Sequence, residues 1–195
     1  MGERRYTQIP QDTFDAMQLD AGILLKDFDL ESATAGSAGF TDSDFICATT
    51  GGITATCQAE YSDLGEDVDN CPNNMMEFVH LDGWICSLAF TSLSTNADGI
   101  KLALGAADVD STKVTPRRDV KLTDFTDVWW VGDKADGGFL AIHLMNALSS
   151  EGFSLKTEKA GKGQTDCTLT GFVSIQNQNV VPMEFYSIEG ADESE

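Results

Sequence analysis

The chain has 195 residues, 42% of them hydrophobic, and a formal net charge of −20 at pH 7. This length and apolar content suit one globular domain with a core of its own, and they argue against a wholly disordered acidic chain. Nucleic acids are bound chiefly through Lys and Arg at the phosphates. A chain as acidic as this one is therefore a poor candidate for binding DNA or RNA. No signal-peptide pattern and no apolar run of roughly 20 residues occurs, so we expect a soluble protein made in a cytoplasm, without a membrane partner.

The two ends of the chain differ from its middle. Residues 1–19 have weak hydrophobic periodicity, and residues 189–195 form an acidic stretch that cannot build a core. We therefore predict a single domain with a folded body at 20–188, an N-terminal arm at 1–19 and an acidic C-terminal tail at 189–195.

A long acidic hairpin is predicted in the first half of the body. Residues 27–100 contain 13 Asp and Glu and no Lys or Arg. Alternating apolar and polar residues at 53–61 and 84–90 predict two strands, each with one buried face. Between them, the loop at 62–74 is rich in carboxylates. Connections of this length are usually functional or mobile in compact domains.

One helix and more strands are predicted further along the chain. A cap signal at residues 94–96 and apolar residues at helical spacing predict a short helix at about 96–106. Strands are predicted at 127–131, 139–148, 153–157, 167–175 and 183–188, and the nearly continuous apolar run at 139–145 indicates a central strand covered on both faces. The expected fold is mainly β: an antiparallel sandwich or barrel flanked by one short α-helix.

The residues of common catalytic and metal sites are scarce. The cysteines are odd in number and lack CxxC spacing, which predicts buried free thiols, with Cys71 exposed in the acidic loop. With only two histidines, a catalytic triad or His-rich metal site has little to draw on, and His143 is expected to be a hydrogen-bonded core residue. In residues 161–165, Gly163 stands where a phosphate-binding loop requires Ser or Thr, and residues 67–72 lack the glycine of an EF-hand. We predict no catalytic residue, cofactor or metal site.

The charge distribution suggests contacts between copies of the chain. Seven of the 12 basic residues fall in two groups, one at 113–121 and one around the turn at 156–162. Separated acidic and basic surfaces suit self-association, although solvated faces explain any single patch equally well. The candidate interface residues are Tyr61, Asp63, Glu66, Asp67 and Asp69 on the hairpin, and Arg117, Arg118 and Lys121 in the first basic group.

Several short sequence runs are spread over most of the chain. They are YTQIP at 6–10, TF at 13–14, DAG at 20–22, ATTGGI at 48–53, YSDLGEDVDNCP at 61–72, LGAAD at 104–108, WWVGD at 129–133 and HLMNAL at 143–148. By their order and coverage, these runs resemble the major tail (tail tube) proteins of long-tailed bacteriophages and prophages.

The resemblance implies a structural virion protein. It implies a β-sandwich or barrel assembled as stacked hexameric rings around a channel for the genome, with hairpin loop 62–74 and both arms touching adjacent subunits or rings. The implied partners are other copies and tail proteins such as the tape measure and terminator. DNA would pass without specific binding, and the protein would reside in the virion tail after synthesis in the host cytoplasm. Inward-facing carboxylates within a Debye length of about 8 Å of the DNA would keep it from adhering.

Two other classes of protein stay open. Another virion or surface β-sandwich, such as a capsid decoration or adhesion module, predicts a compact monomer or a small closed oligomer. A hydrolase predicts a cleft with two carboxyl groups, one of them with a raised pKa. Nothing in the spacing of the carboxylates favours the hydrolase.

Overall fold

The computed structural model describes residues 9–190 and has a mainly β, antiparallel fold. Residues 1–8 of the predicted N-terminal arm and 191–195 of the predicted tail lie outside the described residues. Within residues 9–190 the strands are β1 (Ile23–Leu25), β2 (Thr49–Asp63), β3 (Val79–Ser92), β4 (Ala107–Asp110), β5 (Lys113–Pro116), β6 (Thr126–Asp133), β7 (Phe139–Ser149), β8 (Ser154–Lys156), β9 (Gln164–Gly171) and β10 (Met183–Ile188). The α-helices are α1 (Leu30–Thr34) and α2 (Ala97–Leu104).

Eight strands form one antiparallel sheet. Six of them follow the order β1-β6-β7-β9-β3-β2, while β10 pairs with β7 and β8 pairs with β9. β7 is central, because β6 runs along one edge of it and β10 and β9 share the other. β4 and β5 form a separate two-stranded sheet. Within the described residues the terminal strands β1 and β2 do not pair with each other, so the sheet is not closed into a barrel.

The main core lies between the sheet and α2. Leu88, Val128, Leu144 and Leu169 come from four different strands and are almost fully buried in one cluster. α2 adds Ala103 to this cluster. A second cluster lies around the buried ring of Phe28, which packs against the rings of Trp129 and Phe139. The central strands β6 and β7 contribute to both clusters, which confirms the prediction of a central strand covered on both faces.

α2 confirms the predicted helix and is slightly shorter than 96–106. The Asn96 side-chain oxygen accepts a hydrogen bond from the Gly99 amide at 2.9 Å, which caps the first turn. The helix ends at Gly105, whose φ of +71° favours glycine. The single turn α1 was not predicted; the Asp29 carboxylate caps it by accepting from the Ser32 amide. None of the helices in the described part of the chain is long and apolar enough to cross a membrane.

Three features of the strands differ from the predictions. β1, β4 and β5 were missed because each is only three or four residues long. The strand predicted at 167–175 ends at Gly171. Beyond it the chain turns away, with the Phe172 ring packed edge-on against Phe125 and the Asn177 amide bonded to the Ser174 carbonyl. β2 is correctly placed, but none of its residues is fully buried, so its expected buried face is wrong.

Candidate functional site: the projecting hairpin

The outer parts of β2 and β3 form a two-stranded hairpin that leaves the sheet. β3 pairs with β9 only from Ser87 to Ser92, whereas its pairing with β2 continues to Val79. Within the described chain, β2 is the only strand partner of β3 from Val79 to Cys86, and the outer edge of β2 is unpaired. We call residues 57–86 the projecting hairpin. Two-stranded hairpins are marginal by themselves in water, and within residues 9–190 this one is anchored to the sheet only at its base.

One face of the projecting hairpin continues the core face of the sheet. Cys86 points into the core, and Trp84 lies two residues away on the same face. Near Glu60 and Tyr61 the register shifts by one residue, so that Tyr61 is opposite Leu81 and Asp63 is opposite Val79. The irregularity keeps the apolar residues of both strands on this face. We define Tyr61, Val79, Leu81 and Trp84 as the apolar stripe.

Residues 9–190 leave the apolar stripe partly exposed. Tyr61 is 64% exposed, Val79 47%, Leu81 44% and Trp84 40%. The alternation that predicted these strands cannot distinguish a side chain buried in its own domain from one that another chain covers. Contiguous exposed apolar surface on a folded protein usually marks a site of interaction.

The tip of the hairpin, residues 64–78, is held by Asp63. Its carboxylate accepts hydrogen bonds from the Asn74 amide at 2.8 Å and the Gly65 amide at 2.9 Å, and these two bonds hold the pKa of Asp63 below its usual value. The Leu64 amide also donates to the Phe78 carbonyl. Asp63 is therefore bound into the loop itself rather than free to contact a partner.

The other predicted acidic residues lie free at the tip. Glu66, Asp67 and Asp69 are exposed, and they alternate with exposed apolar side chains, namely Leu64 (63%), Val68 (55%) and Met76 (82%). Cys71 was expected to be exposed, but it is half-buried, with its Sγ 3.8 Å from the Met75 sulfur. The tip thus presents negatively charged carboxylates beside exposed apolar side chains.

The first basic group contains one largely buried cation, Arg117, and three exposed ones, Lys113, Arg118 and Lys121. The Arg117 side chain is only 10% exposed, and its guanidinium contacts Asp124 at 2.5 and 2.6 Å and Asp108 at 3.0 Å. Burial opposes its charge, but the hydrogen bonds and charges of these carboxylates raise the pKa of Arg117 overall. Arg117 therefore holds the β4–β5 hairpin to the turn at Leu122–Asp124. Arg118 is exposed, and so is Lys121, although the Lys121 amine lies 3.6 Å from Asp108.

Arg118 and Lys121 lie in a short segment with exposed apolar residues. Leu122 is 91% exposed and Val120 is 55% exposed. We call residues 118–122 the basic apolar segment. No hydrogen bond or ion pair joins it to the projecting hairpin within the described residues of the chain, so the two groups of candidate interface residues do not meet in the isolated subunit.

His143 lies in an aromatic and acidic environment away from the hairpin. Its ring stacks on Trp129 at a centroid distance of 4.0 Å, and its nitrogens lie 3.4 Å from Asp127 and 3.6 Å from Glu184. The Tyr186 hydroxyl donates to Glu184 at 2.5 Å, which raises the pKa of Tyr186. Among residues 9–190, His143 Nε2 has no hydrogen-bond partner, so the expected hydrogen-bonded core histidine is instead a stacked, half-buried one.

The carboxyl groups with displaced pKa values are all displaced downwards. Within residues 9–190 these are Asp29, Asp44, Asp63, Asp124 and Asp136. In each case, hydrogen bonds to the ionised form are the largest cause. Such shifts favour the charged carboxylate and make each group a poorer proton donor near neutral pH.

Comparison of the sequence with models of known protein families gives no match, and no curated protein matches it either.

Proposed function

We propose that this protein is a structural subunit that assembles with copies of itself through the projecting hairpin, as a tail tube protein of a long-tailed phage does. The observation that carries the proposal is the apolar stripe, which extends the core face of the sheet and is left uncovered by the subunit itself. In the proposed assembly, subunits form stacked, hexameric rings around a channel for DNA. The protein has no enzymatic role in this proposal, and its further partners are other tail proteins such as the tape measure and terminator.

Open strand edges support assembly into rings. The outer edge of β2 and the free edge of β10 are both unpaired within the described chain. Exposed strand edges are a liability in a monomer, but they become useful when another chain adds a strand to them. Pairing β2 of one subunit with β10 of the next would be a head-to-tail contact, and repeated head-to-tail contacts close into a ring when the rotation fits.

Charge complementarity suggests where the tip of the hairpin binds. The tip presents Glu66, Asp67 and Asp69 beside apolar side chains, and the basic apolar segment presents Arg118 and Lys121 beside Leu122. The acidic groups of the tip and the cations of the segment are complementary, and both surfaces expose apolar side chains. We therefore place the tip of one subunit against the basic apolar segment of another.

The acidic charge suits a channel through which DNA slides. Of the 13 carboxylates in residues 27–100, seven lie on the projecting hairpin, namely Glu60, Asp63, Glu66, Asp67, Asp69, Glu77 and Asp82. Six copies in a ring would multiply the net charge of −20 sixfold. Carboxylates within about 8 Å of the DNA would repel its phosphates at physiological salt and prevent adhesion.

Electron microscopy of negatively stained protein over a concentration series tests the proposal. We expect rings or hollow tubes of uniform diameter from the wild-type chain. Replacing residues 64–78 by Asn-Gly keeps Asp63 opposite Val79 and offers a favourable two-residue turn, so the shortened subunit should fold but fail to stack. Circular dichroism of the shortened variant is the control for folding. Only small closed oligomers of the wild-type chain, with or without tail extracts, would contradict the tube and favour the decoration or adhesion module.

A charge exchange tests the contact between tip and basic apolar segment. Arg118→Glu should weaken assembly because it places an acidic residue against Asp67 and Asp69. Adding Asp67→Lys to the same chain should restore assembly, whereas Asp67→Lys alone should weaken it. Lys159→Glu, in the second basic group, is the matched control and should change little. Equal losses in Arg118→Glu and Lys159→Glu would point to net charge and against this contact.

A further inference from the structure

Two cysteines meet at the base of the projecting hairpin. Cys57 on β2 is directly opposite Cys86 on β3, and their sulfur atoms are 3.4 Å apart. Ser87, the next residue, is the first residue of β3 that pairs with β9. We propose that Cys57 and Cys86 are a redox-active dithiol that closes to an intrachain disulfide in the presence of a low-molecular-weight disulfide. This inference stands independently of the tube proposal.

The geometry needs only a small movement. A disulfide has a sulfur–sulfur distance of about 2.05 Å, so the two sulfurs must approach by about 1.4 Å. Directly opposite residues of an antiparallel pair have Cβ atoms about 4.5 to 5.5 Å apart, whereas a disulfide spans about 3.5 to 4.5 Å, so the strands must close by up to about 1 Å. Rotation of the two side chains with slight closing of the strands is therefore sufficient, and the strand register does not change.

The two thiols differ in access. Cys57 is half-buried, whereas Cys86 is fully buried. Burial raises the pKa of Cys86 to about 12, and the hydrogen bond and charge of Cys57 add to this effect. An external oxidant therefore meets Cys57 first.

The reaction is thiol–disulfide exchange with oxidised glutathione or a similar disulfide. The Cys57 thiolate attacks one sulfur of the oxidant, and one glutathione leaves as its thiolate. Cys86 then gives its proton to water, and its thiolate attacks the Cys57 sulfur and expels the second glutathione. The two protein thiols lose two electrons and two protons, while the oxidant is reduced to two molecules of glutathione.

The environments of the other three cysteines favour oxidation at the Cys57–Cys86 pair. Cys47 and Cys167 are both buried, and burial first, then the charges of Cys47 and Glu151, raises the pKa of Cys167 to about 12. Cys71 has the Met75 thioether beside it rather than a second thiol. Among the five cysteines, the pair at the hairpin base alone combines a half-buried thiol with a second thiol in contact.

The consequence is a covalent clamp where the hairpin leaves the sheet. The disulfide would join β2 to β3 just outside the segment of β3 that pairs with β9. The projecting hairpin would then keep its two strands together in an oxidising environment, while the thiols would stay open in a reducing cytoplasm.

Peptide mapping after oxidation tests the proposal. The native protein is incubated with oxidised glutathione at pH 8, remaining thiols are alkylated in denaturant, and the chain is cleaved at acidic residues. Trypsin is unsuitable because residues 27–100 contain no Lys or Arg, whereas cleavage at Glu60 and Asp82 separates Cys57 from Cys86. We expect a linked Cys57–Cys86 peptide, two fewer alkylated thiols and the linkage reversed by reductant.

Serine variants make the test decisive. Cys71→Ser, the matched control, should still lose two thiols and give the linked peptide. Cys86→Ser should instead stop at a single glutathione adduct on Cys57, and Cys57→Ser should retain all its thiols. A stable glutathione adduct on wild-type Cys57 would overturn the proposal. So would a linkage between two chains, a Cys47–Cys167 linkage in place of this one, or five alkylated thiols after exposure that fully oxidises a small dithiol standard.

Discussion

Truncating two leucines on the same strand should have different effects on folding and on assembly. Leu88 lies in the supported part of β3 and is fully buried, whereas Leu81 lies in the projecting hairpin and is 44% exposed. Both can be changed to alanine, so the chemistry of the substitution is matched. We expect Leu88→Ala to destabilise the isolated subunit strongly, and Leu81→Ala to destabilise it less and to weaken assembly as well.

The magnitudes follow from the burial of each side chain. Leucine to alanine removes three carbon atoms, worth about 2.4 kcal/mol of transfer free energy at about 0.8 kcal/mol each. At Leu88 a cavity adds to this loss, so the free energy of unfolding should fall by about 3 to 4 kcal/mol. At Leu81 the buried fraction accounts for roughly 1.3 kcal/mol, without a closed cavity. If another subunit covers the remaining 44% of the Leu81 side chain, truncation to alanine should weaken association by about 1 kcal/mol per contact. This is roughly a fivefold decrease in the association constant.

Two measurements separate these effects. Urea denaturation of the dilute monomer gives the free energy of unfolding, and light scattering over a concentration series gives the concentration at which assembly begins. Leu81→Ala should raise that concentration about fivefold per contact and leave most of the stability intact. The reasoning fails if Leu81→Ala destabilises the subunit as much as Leu88→Ala does and leaves assembly unchanged, because Leu81 would then be covered within its own chain.

Three further predictions concern contacts within the subunit. Arg117→Met should lower the melting temperature measured by circular dichroism, because it leaves the buried Asp124 carboxylate without its guanidinium, whereas the exposed neighbour Arg118→Met should not; equal effects would contradict the pairing. Asn96→Ala should cost about 1 kcal/mol in urea denaturation by removing the cap of α2, and Asn96→Ser should recover most of it. The lowered pKa of Asp63 means that its bonds to the hairpin tip are fully formed above about pH 4 and are lost as the pH falls through the folded-state pKa. The protection of the Gly65 and Asn74 amides against hydrogen exchange, relative to the intrinsic exchange rate at each pH, should therefore fall at low pH in the wild-type chain, and Asp63→Asn should show this reduced protection, relative to wild type, near neutral pH.

The long periodic elements could be predicted from the sequence, but what covers their apolar faces could not. β2, β3, β7 and β10 and the helix α2 follow from alternation, apolar runs and a cap signal, which are local properties. The pattern around Trp84 and Leu81 is that of any half-buried strand. Whether a strand beside them covers that face depends on where β9 ends, which is a property of the whole sheet.

The assignment of charged side chains shows the same limit. Arg117 and Arg118 are adjacent and of one type, yet one is paired with three carboxylates and the other is exposed. Asp108, Asp119 and Asp124 approach Arg117 only because the β4–β5 hairpin and the following turn bring them together. The close approach of Cys57 and Cys86 did not follow from the predicted hairpin, because a loop at 62–74 would put Cys57 opposite residue 79. The longer turn and the register shift near Tyr61 place Cys57 opposite Cys86 instead, and the position of this pair at the hairpin base again depends on β9.

The charge of the projecting hairpin favours one mode of self-association over another. A two-fold contact between hairpins would set seven carboxylates against seven others without a Lys or Arg from either copy, since residues 57–86 contain none. Such repulsion disfavours a closed dimer and leaves the head-to-tail contact with a surface that carries cations, which is the mode that builds rings and filaments. Neutralising the tip with Glu66→Gln, Asp67→Asn and Asp69→Asn should therefore allow hairpin-to-hairpin dimers in analytical ultracentrifugation and reduce the yield of rings. An unchanged distribution of species would show that shape rather than charge selects the contact, whereas a shift to dimers would show that the acidic composition directs how the subunits assemble.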